Sequence, residues 1–119
     1  MPSSRLSVAR DPALALIVRI FVGSVTERWD VSEPVREDLR LAASELFSGA
    51  VDAGEGDLVT FELASGDNEL ELRAEDIRLD EEAQPIDLEG WTGRFDLIRA
   101  LFPDAEIGDT VRIRVPLPA

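Results

Sequence analysis

Apolar residues recur at helical spacing over three stretches of the chain and alternate with polar residues over several others, so the pattern predicts a mixed α and β domain. In the first helical stretch, Leu14, Val18, Phe21, Val25 and Trp29 return every three or four positions and make one core face. Asp11 is a suitable N-cap for it, and Pro12 suits the first helical position. A second helix is expected from Ser32, with Val35, Leu39, Ala42, Ala43, Leu46 and Ala50 as its stripe and Gly54 or Gly56 at its end. A third runs over residues 91–102, turning Trp91, Phe95, Ile98 and Leu101 or Phe102 inward before Pro103 stops it.

The alternating segments are strands. Residues 4–9 read as a short strand or arm, and residues 58–64 and 69–75 as two strands joined by a Ser-Gly-Asp-Asn turn. Residues 105–107, a Gly108-Asp109 turn and residues 110–118 predict a closing hairpin. Residues 76–90 are acidic, contain Pro85 and read as loop. Helices on one face of a mostly antiparallel sheet give an α+β two-layer sandwich, and the 119 residues suit a single domain. The first helix carries a further feature. Ala13, Leu16, Ile20 and Gly23 form a second apolar stripe nearly opposite the core stripe, where a surface helix is ordinarily polar. Either the N-terminal arm folds over it, or it is a dimer or partner interface.

Composition narrows the chemistry. Cysteine and histidine are both absent, which removes disulfides, thiol nucleophiles, histidine bases and zinc-finger sites. The net charge of −13 repels phosphate backbones, so no direct nucleic-acid binding is expected; the charge serves solubility or selects a basic protein partner. No apolar run approaches a membrane span, and the first ten residues lack a signal peptide's apolar stretch, so the expectation is a cytoplasmic protein.

The element order and three strings resemble the GHKL (Bergerat-fold) ATPase domain of bacterial anti-sigma-factor serine kinases. Residues 38–54, DLRLAASELFSGAVDAG, are similar to the family's N-box helix. Residues 69–76, ELELRAED, are similar to the strand entering its DxGxG box. The run from WTGRFDLIRALFPDAEI to GDTVRIRVPLP is similar to its closing Gly-rich turn, helix and hairpin. The resemblance implies a catalytic base at Glu45, a magnesium-holding position at Gly49, an adenine-reading position at Asp76 and a phosphate-turn glycine at Gly93. It departs from the family where chemistry is done. Gly49 stands where the family has Asn, Arg78 and Asp80 replace two glycines, and Arg94 replaces a third. The acidic 75–89 segment would meet a triphosphate with like charge, at about 1 kcal/mol per close pair even in water.

Three readings follow. In the first, the domain is a regulatory protein-binding module that has lost its nucleotide site and needs no cofactor; the resemblance implies a sigma factor or an anti-anti-sigma (STAS) protein as partner. In the second, it is an active serine/threonine-protein kinase using ATP and magnesium with Glu45 as base. In the third, it is a silent accessory domain that forms a homodimer.

Overall fold

The computed structural model describes residues 3–53, 58–75, 94–108 and 110–117. Along the chain run β1 (Ser3–Ala9), a single 3-10 turn (Pro12–Leu14), α1 (Ala15–Arg28), α2 (Glu33–Ala53), β2 (Leu58–Ser65), β3 (Glu69–Glu75), α3 (Arg94–Leu101) and β4 (Val111–Pro116). The strands form one sheet in the order β1-β2-β3-β4, with every neighbouring pair antiparallel. The fold is the expected α+β arrangement. Its first segment is a paired strand, in register from Ser3 opposite Ala64 to Ala9 opposite Leu58.

Strand alternation decides which side of this sheet is dry. Val8, Val59, Phe61, Leu63, Leu70, Leu72, Ala74, Val111, Ile113 and Val115 are buried against the helices. The helix layer answers with Val18 and Val22 of α1, Leu39, Leu46 and Phe47 of α2, and Leu97 and Ile98 of α3. Ala42, Ala43 and Ala50 are fully buried on α2, where small side chains let the neighbouring elements approach. The core face of α1 is turned slightly from the expected one. Val18, Val22 and Thr26 are buried, while Leu14, Phe21, Val25 and Trp29 pack around them half-buried. The buried Thr26 hydroxyl is satisfied by donating to the Val22 carbonyl at 2.6 Å.

Local chemistry sets the ends of these elements. The Asp11 carboxylate accepts from the Ala13 amide at 2.9 Å and caps the 3-10 turn, so the α-helix proper starts only at Ala15. At the other end, the Val31 amide donates to the Thr26 carbonyl and the Asp30 amide to the Glu27 carbonyl, the two bonds of a Schellman stop. That stop puts Asp30 at φ 57°, a conformation short polar side chains tolerate best after glycine. The Arg10 guanidinium donates to the Ala50 carbonyl at 2.7 Å, placing a cation at the C-terminal turn of α2 and tying β1 to it.

The closing hairpin is shorter than the sequence suggests. On its first arm only Glu106 pairs, bridging Arg112 through two backbone bonds of 2.9 Å. Residues 102–105 are taken up by a turn, closed by the Ala105 amide donating to the Phe102 carbonyl at 3.0 Å, which leaves only Glu106 and Ile107 before Gly108.

The opposite face of the sheet is a lattice of ion pairs. Register sets Arg5 directly across from Glu62, Glu62 from Arg73, and Glu71 from Arg114. Arg73 reaches Glu71 at 2.9 Å and Glu62 at 3.3 Å, Arg114 reaches Glu71 at 3.1 Å and Glu106 at 3.2 Å, and Arg5 reaches Glu75 at 3.2 Å. Glu106 and then Glu71 hold the Arg114 guanidinium above its ordinary pKa.

Candidate protein-binding site

Helix α1 lies in the helix layer with one side on the core and the opposite side open. Leu16 is 62% exposed, Ile20 56% and Ile17 44%, and Ala13 is exposed in the preceding turn. The N-terminal segment does not cover them, because β1 is engaged in the sheet with β2. Burying one such side chain against a partner yields about 1.5–3 kcal/mol, so three together form a substantial anchor.

Gly23 continues the stripe of Leu16 and Ile20 to the seam with α2. It is buried, because Arg40 of α2 lies across it: a Cβ added there would stand 2.5 Å from Arg40 Nε. Arg40 also pairs with Glu37 on its own helix. The glycine therefore makes room for a guanidinium at the α1–α2 seam, next to the exposed Leu16 and Ile20. Beside this seam a groove of about 300 Å³ is lined by Leu16, Ile20 and Gly23, with Arg19, Glu27 and Arg40 supplying charge of both signs.

The groove is set in the less charged half of the chain. Residues 1–53 carry six arginines against eight carboxylates, whereas the remainder carries six against seventeen.

The residues assigned by resemblance to a nucleotide site are only partly in view. On α2, Glu45 is half-buried and Gly49 is buried, so this edge of the helix turns inward. Asp38 of the same edge is half-buried. Asp76, Arg78, Asp80, the acidic loop and Gly93 lie outside the described residues, and Arg94 opens α3. Among the described residues no cluster of three or more acidic side chains is placed to hold a metal ion. No described helix is long and apolar enough to cross a membrane.

Ile17 and Leu41 are exposed apolar residues that periodicity did not single out. Ile17 falls between the two stripes of α1, so only the position of the sheet beneath reveals which way it points.

No protein-family model matches the chain, and no curated protein matches it.

Proposed function

We propose that this domain is a regulatory binding module that acts on another protein through the open side of α1. The observation that carries the reading is the exposure of Leu16, Ile17 and Ile20 on a helix whose other side is firmly in the core. Leaving that much apolar surface in water is costly to solubility unless a partner covers it. The resemblance to anti-sigma-factor kinases supplies the class of partner: a sigma factor or an anti-anti-sigma (STAS) protein. Binding needs no nucleotide in this reading. Gly49 has no side-chain oxygen for a magnesium ion, and Arg78, Asp80 and Arg94 stand where the family's glycines let backbone approach phosphate.

Leu16→Arg and Ile20→Arg test the proposal. Each puts a charge on the open side while sparing Val18 and Val22. Complex formation with a candidate sigma factor or STAS protein, followed by size-exclusion with light scattering, should be lost in both variants with the fold retained by circular dichroism. If the complex survives both substitutions undiminished, α1 is not the docking surface.

A further inference from the structure

A second groove lies where the sheet ends. β1 is an edge strand, bonded to β2 on one side and to no other strand among the described residues. Only the short segment of residues 10–14 separates β1 from α1, so α1 runs back along it and its last turn stands beside the first residues of β1. Between them opens a groove of about 470 Å³, lined by Ser3 and Ser4 of β1 together with Val25, Arg28 and Trp29. Val25, Arg28 and Trp29 recur at helical spacing on the last turns of α1 and its cap, clear of Leu16 and Ile20 near its start.

The charged side chain lining this groove is the Arg28 guanidinium, on a chain of net charge −13. Arg5 and Arg10 of the same edge already engage Glu75 and the Ala50 carbonyl. Arg28 has no ion-pair partner among the described residues.

We propose that β1 accepts an extended, acidic peptide segment of a partner protein as a fifth strand. Backbone hydrogen bonds along the open edge hold the segment whatever its sequence. Alternation then sends every second side chain toward the helix layer, where Val25 and Trp29 receive an apolar one and Arg28 a carboxylate. A second copy of this chain is a poorer occupant, since its own edge strand, residues 3–9, has no carboxylate to offer Arg28.

Nuclear magnetic resonance titration of the full chain provides the test. The probe is an end-blocked octapeptide alternating threonine and valine with two glutamates on one side, compared with its arginine-for-glutamate counterpart and with a version N-methylated at alternate residues. The glutamate probe should bind saturably and at least tenfold more tightly than either control, shifting the amides of residues 3–9 and the Trp29 indole. Arg28→Glu should reverse the preference between glutamate and arginine probes, and Leu16→Arg should leave it unchanged, which separates this proposal from docking on the open side of α1. Absence of saturable binding at about 1 mM glutamate probe overturns the proposal. So does equal affinity for the N-methylated probe, insensitivity to Arg28→Glu, or shifts centred on residues 16–20.

Discussion

The outer face of the sheet and the outer side of α1 both turn away from the core, yet they are finished in opposite ways. The sheet face is furnished with arginines and glutamates set opposite one another, so that Arg73 alone reaches Glu62 and Glu71. The α1 side presents Leu16, Ile17 and Ile20 to solvent. A chain able to build an ion-pair lattice over one surface has the means to make the other polar. The apolar finish of α1 is therefore informative, and it is the observation from which docking on that side is proposed.

Neighbouring residues on β2 should show this division most sharply. Phe61 faces the core and Glu62 the lattice, so Phe61→Ala should cost about 3–5 kcal/mol in denaturant unfolding. If Glu62→Ala costs as much, the lattice is structural and not merely a wet surface. On α1, Leu16→Arg should weaken partner binding more than tenfold while moving unfolding stability by no more than about 0.5 kcal/mol. A comparable loss of stability would mean that Leu16 is covered within the monomer.

Gly23→Ala sharpens the boundary between the two sides of α1. The added methyl displaces only the mobile end of Arg40, and alanine is the better helix former, so stability should rise by up to about 1 kcal/mol. A loss of stability on thermal melting would show that Arg40 is held there more firmly than by Glu37 alone. Arg73→Ala should cost less than about 1 kcal/mol, a loss that shrinks further in 1 M salt as the exposed pairs are screened. The smallest effect is expected from nucleotide. Millimolar ATP with magnesium should leave the melting temperature unchanged, and Gly49→Asn alone should not restore a shift, because the departures from the family's motifs lie on separate segments.

Much of this architecture was legible in the residue pattern because burial in a two-layer fold is periodic. Leu70, Leu72 and Ala74 alternate in sequence and are all buried in β3, and Leu39, Ala42, Ala43 and Leu46 are buried at the helical spacing that predicts it. Element ends with strong local signals were legible too, such as Asp11 before Pro12. The closing hairpin is shorter than its alternation suggests, because alternation does not say how many residues a partner strand can supply, and of residues 105–107 only Glu106 pairs with β4.

Sequence periodicity determined which residues of α1 share a side, and so picked out Leu16 and Ile20 as a group. It could not decide what lies against each side, because that depends on elements distant in the chain. Only the tertiary structure put β1 into the sheet and left Leu16 and Ile20 open. Only the packing of α2 laid Arg40 over Gly23, a residue seventeen positions away meeting a glycine whose own neighbours give no hint of it. The flank facing the free edge of β1 has the same origin: Arg28 and Ser4 come together because a short turn folds α1 back along the first strand.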